Sequence, residues 1–369
     1  MTILCLCRED NLTNTLAEYA RAIRACGVRL ECVEWGTPLN ADLGDLLKPC
    51  AEEPAAILQP ESDFPLLPQG LVQTHIPTIC FQVDTYAFPK RRLRWASLFD
   101  HVAVFHPGYV EEFRRGGHPG AFLLPHAVRR ELFEGGELER TFDLGWVGQS
   151  QGPLYRRRSA LLPALAGMFK FKMNEWDRKY SAEELAEVYR RSRIVVNIGR
   201  DDYPQDANLR TFEAMAAGAL LLTSQPTELT RLGFEDGVHF IGYRNPQEIT
   251  ILVREYLAGE SARRRIADAG REKVLRQHTY DSRVNTLLAR LEQDAGKLFA
   301  PARKWSEGRV RLTYLDFFAA HGALDCATAE LRQIARRSLR NAMAGASLIA
   351  RAWARQSRGR LAALVQRNP

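Results

Sequence analysis

Short apolar runs alternate with helical patterns along most of this chain, and that alternation constrains its fold more than any other feature. The runs typical of buried strands fall at residues 3–7, 29–35, 55–58, 77–83, 101–105, 142–147, 169–173, 194–198, 219–223 and 239–241. Amphipathic stretches between them, such as 66–73, 90–97 and 108–115, have the spacing of helices. Strands that alternate with helices in this way form parallel, doubly wound sheets. We therefore expect an α/β protein.

The chain of 369 residues is too long for one typical core, so we expect two domains. A Pro-containing segment at residues 124–128 and a charged, Gly-containing stretch after it interrupt the alternation, which then restarts. We predict an N-terminal Rossmann-like domain at 1–125, a linker at 126–140, a C-terminal Rossmann-like domain at 141–296 and a helical extension at 297–369. Two such domains leave a cleft between them, which is a preferred place for a ligand.

The composition is that of an ordinary globular protein, with 46% hydrophobic and 26% charged residues. The seven cysteines are scattered without CxxC pairs, which favours reduced thiols and a cytoplasmic location. No signal peptide pattern follows Met1. No run approaches the roughly 18 apolar residues of a membrane span.

Basic charge is concentrated at the end of the chain. Residues 327–369 contain nine arginines and one acid, so this segment has a net charge of +8. The whole chain has a net charge of +7, so the rest of the chain has a net charge of −1. The main body therefore lacks the basic surface that nucleic-acid binding requires. For residues 327–369 we predict contact with an anionic membrane surface or an acidic protein. A helical pair that packs on the body is the alternative.

The stretch from residue 194 to 223 reads as strand, loop, helix and strand. Its polar groups collect at the end of the sheet where parallel α/β folds bind ligands. The N-terminus of the helix would attract a phosphate group, and Glu213 in its first two turns could accept hydrogen bonds from sugar hydroxyls. The adjacent acids Asp201 and Asp202 are poorly spaced for a metal, and a solvated loop is the better interpretation. Read alone, the unit could equally be a capped helix of an α/β core.

Four motifs in order resemble bacterial glycosyltransferases of the two-domain GT-B class, with a C-terminal domain like that of glycosyltransferase families 1 and 4. The resemblance is to the group related to the spore maturation protein CgeB in particular. The motifs are Phe122-Leu-Leu-Pro-His126, Phe142-Asp-Leu-Gly-Trp-Val-Gly148 with Arg158, Asn208-x-Arg210-x-x-Glu213-x-x-Ala216-x-Gly218, and His278-Thr-Tyr280-Asp-Ser-Arg283. The match covers about residues 100 to 295; residues before it match only in pattern.

The resemblance implies that the C-terminal domain binds a nucleotide sugar. Glu213 would hold the ribose hydroxyls, and the diphosphate would lie at the N-termini of the helices that start near Leu154 and Asn208. The resemblance implies neither a metal nor another cofactor. The implied donor-binding residues are Glu213, Arg210, Asn208, Arg158, Gly148 and Gln149.

One position departs from the pattern of the family. Many retaining members have a second glutamate eight residues before the one that matches Glu213, and here that position is Gln205. An uncharged amide leaves open whether the reaction retains or inverts configuration, and whether the domain is active. On the acceptor side, Asp84 follows an apolar strand and is the first choice for a general base, with a turn cap as the alternative. His75, His101, His106 and His126 are alternative bases, and His106 lies at another strand end.

The leading hypothesis is therefore a hexosyltransferase that moves a sugar from a nucleotide diphosphate donor to a glycan, lipid-linked or protein acceptor. A nucleotide-sugar epimerase is an alternative, and a non-catalytic nucleotide-sugar-binding scaffold is another. An NAD-dependent enzyme is disfavoured, because the first strand is followed by residues 8–11 without a glycine.

Overall fold

The structure, a computed structural model, describes residues 1–136, 138–175 and 177–365, with side chains as far as residue 354. These residues form two compact units. The first unit contains residues 1–104 and 110–122 and the chain from Ala289 onward, and the second contains residues 105–109 and 123–288.

The first unit is built on a six-stranded sheet in the order β2-β1-β3-β4-β5-β6. Its strands are β1 (Thr2–Cys5), β2 (Arg29–Cys32), β3 (Ala56–Gln59), β4 (Thr78–Gln82), β5 (His101–Val104) and β6 (Ala121–Leu123). The helices along this part of the chain are α1 (Thr15–Ala25), α2 (Leu43–Leu47), α3 (Pro89–Ala96) and α4 (Pro107–Arg115). Strands β1 to β5 pair in parallel. Because β1, β3, β4 and β5 are buried along their whole length, they are continuous apolar runs rather than alternating ones.

The predicted helix at residues 66–73 is wrong. Residues 66–69 are extended and pair with residues 39–43: the amide of Leu67 donates to the Leu39 carbonyl at 2.8 Å, and that of Gln69 to Ala41 at 2.8 Å. Residues 70–73 form a turn. Pro68 explains the difference, since it lacks an amide hydrogen and keeps the residue before it out of the helical region. The buried leucines that suggested a helix face instead lie in the extended segment, at Leu66 and Leu67, and in the turn, at Leu71.

The second unit is built on a five-stranded sheet in the order β11-β10-β9-β7-β8, with all neighbours parallel. Its strands are β7 (Phe142–Trp146), β8 (Phe171–Met173), β9 (Ser192–Asn197), β10 (Leu220–Ser224) and β11 (Ile241–Tyr243). Its helices are α5 (Arg156–Ala166), α6 (Ala182–Arg190), α7 (Leu209–Ala216), α8 (Pro246–Ala258), α9 (Glu260–Gln277) and α10 (Tyr280–Gln293). Leu220 and Leu222 face one apolar cluster while Leu221 faces another, so helices cover both faces of the sheet. Two doubly wound parallel sheets confirm the predicted fold class.

The chain ends in three helices: α11 (Glu307–Ala320), α12 (Leu324–Ala335) and α13 (Leu339–Val365). Helix α11 contacts α3 in the first unit through Asp316, which is 1% exposed and forms an ion pair with Arg91 at 2.7 Å. The indole of Trp95 on α3 also donates to Asp316, at 3.1 Å. Across residues 1–136, 138–175 and 177–365, no helix combines the length and the apolar character needed to cross a bilayer.

Candidate functional site

Helix α7 begins directly beyond the carboxyl end of β9, so its first residues lie where parallel sheets bind ligands. Asn208 stands at its N-cap in an extended conformation, and its side chain makes no capping hydrogen bond. Gly218 follows the helix at φ +66°, a left-handed conformation that suits glycine. Side-chain atoms of Arg140 and Arg271 would also lie within 3.3 Å of a Cβ there. The strand, loop, helix and strand predicted at residues 194–223 are thus confirmed.

Arg210, in the first turn of α7, crosses to the end of β7. Its Nε donates to the Val147 carbonyl at 3.0 Å, and its Nη1 donates to Asn197 Oδ1 at 2.9 Å. Its guanidinium also lies 4.9 Å from the centre of the Trp146 ring. A Cβ at Gly148 would collide with Nη2 of Arg210. Gly148 has φ +152°, a conformation that suits glycine, and the missing side chain lets the guanidinium lie directly over the loop backbone.

Arg158, in the first turn of α5, reaches the same loop from the other side. It is 5% exposed; its Nε donates to the Ile198 carbonyl at 2.7 Å and its Nη1 to the Gln149 carbonyl at 2.9 Å. Burial, and after it the positive charge of Arg210, lowers the pKa of this guanidinium to about 9. Within the described residues, neither arginine forms an ion pair with a carboxylate. Asp206 and Glu213 act on these charges only from a distance, so two adjacent guanidiniums that no carboxylate of the described residues contacts form a site for an anion.

Glu213 lies one turn after Arg210 on α7 and is partly buried. Burial raises the pKa of its carboxyl from the usual 4.5 to about 7, although the charge of Arg210 lowers it. Its carboxyl has no hydrogen-bond donor among the residues that the structure describes. The carboxyl is therefore an available acceptor for a ligand that donates hydroxyl hydrogens.

Sequence reasoning missed Asn197, which organises this end of the sheet. It is fully buried at the end of β9. Its Oδ1 accepts from Arg210 and, at 3.3 Å, from Asn208, while its Nδ2 donates to the Thr223 hydroxyl at 3.0 Å. The buried Oδ1 of Asn208 has no partner in the described part of the chain. A polar residue that ends the apolar run at 194–196 was the available signal.

The loop after β7 is held by Asn174, which follows β8. The amide of Gly148 donates to Asn174 Oδ1 at 2.8 Å, and Asn174 Nδ2 donates back to the Gly148 carbonyl at 3.2 Å. Gln149 contributes its carbonyl to Arg158, and its side chain donates to the Gln151 carbonyl at 3.3 Å. A cavity of about 580 Å³ beside this loop is lined by Arg158 and Asn174 among others.

The N-terminus of α5, predicted as one of two diphosphate sites, already has an acceptor. Asp201 Oδ2 accepts from the amide of Arg156 at 2.8 Å, and Asp201 Oδ1 accepts from Nε of Arg157 at 3.0 Å. Asp201 therefore caps the N-terminus of α5; that it binds no metal stays a prediction. This leaves the N-terminus of α7, where Asn208 makes no cap bond, as the free helix end of the pair.

His106 and Gln205 come together through Glu228, which sequence reasoning did not single out. His106 Nδ1 lies 2.7 Å from Glu228 Oε2, and the hydroxyl of Tyr203 donates to Glu228 Oε1 at 2.8 Å. The amide of Glu228 donates to the Gln205 carbonyl at 2.8 Å. Glu228, 4% exposed, thus fixes the loop that carries Gln205. It lies 122 residues from His106, and no local pattern links the two.

Ligand atoms of His106, Asp206 and Glu228 lie within 4.8 Å of one another, which is close enough to hold a metal ion. The direct bond between His106 and Glu228 and the bond from Tyr203 already satisfy much of this cluster without one. The expected absence of a metal stays a prediction.

Asp84, the predicted general base, belongs to the first unit. It follows β4 in a turn, where its carbonyl accepts from the amide of Ala87 at 2.9 Å. Its Oδ1 accepts from the hydroxyl of Tyr86 at 3.3 Å. The carboxylate is partly exposed and can reach a ligand. Its catalytic role stays a prediction.

Comparison with known proteins identifies the class of this fold. Residues 156–289 match a family model described as glycosyl transferase-like. HepE from Anabaena, solved with UDP and glucose, aligns with a TM-score of 0.57 at 13% identity over 79% of this chain and 100% of its own. Sucrose-phosphate synthase from Thermosynechococcus elongatus aligns with a TM-score of 0.56 at 12% identity over 79% of this chain and 98% of its own.

A glycosyltransferase from Rickettsia africae ESF-5 aligns with a TM-score of 0.54 at 9% identity, over 79% of this chain and 98% of its own. No curated protein matches the sequence. The chain therefore has the GT-B glycosyltransferase fold, with a glycosyl transferase-like segment at residues 156–289.

Proposed function

We propose that this chain is a glycosyltransferase that takes a sugar from a nucleotide diphosphate donor. The observation that carries the proposal is the pair Arg158 and Arg210, two partly or fully buried guanidiniums without a carboxylate partner among the described residues. A diphosphate supplies the missing negative charge and accepts from guanidinium groups in pairs. The Anabaena HepE structures, which hold UDP or UDP-glucose, support this choice of ligand.

The diphosphate would lie at the N-terminus of α7, beside Arg210, where the helix dipole also favours negative charge. Glu213, one turn further along, would accept hydrogen bonds from the two ribose hydroxyls. Ligand binding would then supply the donors that this carboxyl lacks. Gly148 keeps the loop backbone close to the same place, because a side chain there would displace Arg210.

For the transfer step, Asp84 would remove the proton from an acceptor hydroxyl on a glycan, a lipid-linked sugar or a protein. The acceptor oxygen forms a bond to C1 of the donor sugar. The bond between C1 and the phosphate oxygen breaks, and its electron pair leaves with the diphosphate. Arg158 and Arg210 would stabilise the departing charge without a metal. Gln205 would bind a hydroxyl of a donor hexose, and His106, held by Glu228, is the alternative base.

Nucleotide binding tests the donor site directly. Thermal shifts would be recorded with UDP, GDP, dTDP and CMP and their sugars. Arg210→Ala removes charge-assisted bonds worth roughly 1.5–3 kcal/mol each, so we expect at least a tenfold weaker affinity for the preferred nucleotide. Arg191→Ala is the control, because Arg191 pairs with Glu187 on the surface. Equal affinities in the two variants would refute the donor site.

Turnover of a bound donor separates the three hypotheses. Incubation with the preferred donor alone would convert its sugar if the protein were an epimerase. Transfer of the sugar to a glycan acceptor, or slow hydrolysis of the donor by water, indicates a transferase. Asp84→Asn should lower the rate of that reaction without changing donor affinity. Tight donor binding without turnover, for any acceptor offered, would indicate a scaffold and contradict the proposed reaction.

The proposal includes contact of α13 with an anionic membrane surface. Leu339 is 78% exposed, Met343 69% and Trp353 63%, and helical periodicity places all three within one face of α13. Arg340 and Arg351 lie along one edge of that face. An exposed apolar stripe beside arginines is typical of helices that lie in a lipid interface. Four of the nine arginines in residues 327–369, at positions 355, 358, 360 and 367, lie outside the residues whose side chains are described.

Vesicle sedimentation tests this contact. Wild-type protein should sediment with vesicles containing phosphatidylserine, and Met343→Glu should abolish sedimentation by placing a charge in the stripe. Ile251→Glu is a matched control, because Ile251 is equally exposed at 64% but lies on α8. Equal sedimentation of both variants would remove the membrane contact from the proposal.

A further inference from the structure

A cavity of about 450 Å³ lies between α3 and the C-terminal helices in the first unit. Its wall includes Phe88, Arg91 and Trp95 from α3 and the turn before it, and His321 and Ala352 from the extension. Its volume falls within the roughly 300–1,000 Å³ of small-molecule sites. The turn that begins at Asp84 leads directly into this wall, since Phe88 follows it by four residues. No residue of this cavity belongs to the proposed donor site.

The aromatic wall of the cavity is rigid. Trp95 is held by its hydrogen bond to Asp316 at 3.1 Å and packs edge-on against Phe317 with ring centres 5.4 Å apart. His321 lies 4.3 Å from the ring centre of Phe317 and 5.2 Å from that of Trp95. The rings of Trp95 and His321 are thus positioned before any ligand arrives, which reduces the entropy lost on binding.

Phe88 lines this cavity in an energetically unfavourable conformation. Its side chain is 72% exposed, so it gains little from burial. Its backbone has φ +61° and ψ +53°, a left-handed conformation that a bulky residue rarely adopts. Neither the burial of the side chain nor the backbone conformation therefore favours phenylalanine at this position. A strained backbone that presents an exposed aromatic ring beside a cavity indicates a binding role.

Three polar side chains, His321, Arg91 and Arg92, complete the wall. His321 Nδ1 lies 2.8 Å from the Phe317 carbonyl, so Nδ1 carries the hydrogen and Nε2 of the neutral ring is an acceptor. Arg91 uses Nε and Nη2 to hold Asp316, which leaves Nη1 as a donor. Both arginines of the wall have a carboxylate partner, Asp316 for Arg91 and Glu61 for Arg92, so neither is left unpaired to attract an anion. The wall offers a donor and an acceptor beside aromatic rings.

We propose that this cavity binds a neutral sugar ring of the acceptor, and this inference rests on the proposed glycosyl transfer. The C–H groups of a sugar face carry partial positive charge and lie favourably against the negative face of an aromatic ring. The hydroxyls at its edge would donate to His321 and accept from Arg91. The adjoining turn would bring an acceptor hydroxyl toward Asp84. The C-terminal extension, through His321 and Ala352, is therefore part of the acceptor site.

A printed array of neutral hexose and N-acetylhexosamine oligosaccharides, with anionic glycans alongside, tests the proposal on the full chain. Phe88→Gly removes the ring and relieves the left-handed strain. We expect at least a tenfold lower signal for neutral glycans together with a higher melting temperature, a combination that loss of structure would not produce. His321→Phe keeps the stacked ring but removes the Nε2 acceptor, and it should also lower the signal.

Trp35→Ala is the matched control, because Trp35 is an aromatic residue of the same unit that is 83% exposed but lines no part of this cavity. It should bind glycans like the wild type. UDP thermal shifts, which report only on the second unit, should be the same in all four proteins, so a failed donor site and a failed sugar site give different results. Wild-type signal in either cavity variant, or an array on which only anionic glycans bind, would overturn the proposal.

Discussion

Replacing Glu213 with glutamine should stabilise the protein while it weakens nucleotide binding. Burial raises the pKa of this carboxyl from 4.5 to about 7, so the folded state holds the proton more tightly than the unfolded state does. Below pH 4.5 both states are protonated and the carboxyl has no effect. As the pH rises, ionisation favours the unfolded chain, and the cost levels off above pH 7.

The size of this cost follows from the pKa difference. At 1.36 kcal/mol per unit, the shift from 4.5 to about 7 gives at most about 3 kcal/mol above pH 8 and about 1 kcal/mol at pH 5. Glutamine keeps the shape of the protonated carboxyl and carries no charge. Glu213→Gln should therefore raise the free energy of unfolding by these amounts, and the gain over the wild type should grow with pH.

Urea unfolding of both proteins at several values between pH 5 and pH 8.5 measures this difference. Glu187→Gln is the control, since the side chain of Glu187 is 60% exposed and its replacement should leave the pH dependence unchanged. Nucleotide affinity, measured alongside, should fall about tenfold or more, because a neutral amide accepts more weakly from ribose hydroxyls. A variant that is less stable than the wild type at pH 8.5 would refute the reasoning.

Three further substitutions test the packing around the sites. Gly148→Ala should abolish nucleotide binding in a calorimetric titration, because the new methyl group displaces Arg210. Glu228→Ala should lower the free energy of unfolding by about 3 kcal/mol, since it leaves His106 and the surrounding loop without their buried acceptor. Asp316→Ala should lower it by about 3–5 kcal/mol by removing one partner of a buried ion pair, measured by urea unfolding.

Each of these results can contradict its argument. Wild-type nucleotide affinity in Gly148→Ala would mean that Arg210 is not needed where it lies. Unchanged stability of Glu228→Ala would mean that the loop has other supports. If Asp316→Ala unfolds like the wild type, the extension is not anchored to α3 through this carboxylate.

The sequence by itself determined the strands and their parallel arrangement. Continuous apolar runs such as 194–196 and 220–222 can be buried only when both faces of a sheet are covered, so they identify a doubly wound fold without reference to distant residues. The local spacing of Arg210 and Glu213 placed both on one helix, and their position after β9 located them at the ligand end. The same local reasoning failed at 66–73, where Pro68 outweighed a helical pattern of leucines.

Only the tertiary structure decided which distant groups meet and what charges they carry. The bond between His106 and Glu228 joins residues far apart in the chain, and no periodicity records such a pairing. Arg158 is a surface residue by composition, yet burial beside Arg210 lowers its pKa to about 9 and makes the pair a site for an anion. Phe88, Trp95 and His321 form one wall because α11 packs on α3. Burial and electrostatic interaction depend on every neighbour in space, and the order of residues specifies only the neighbours along the chain.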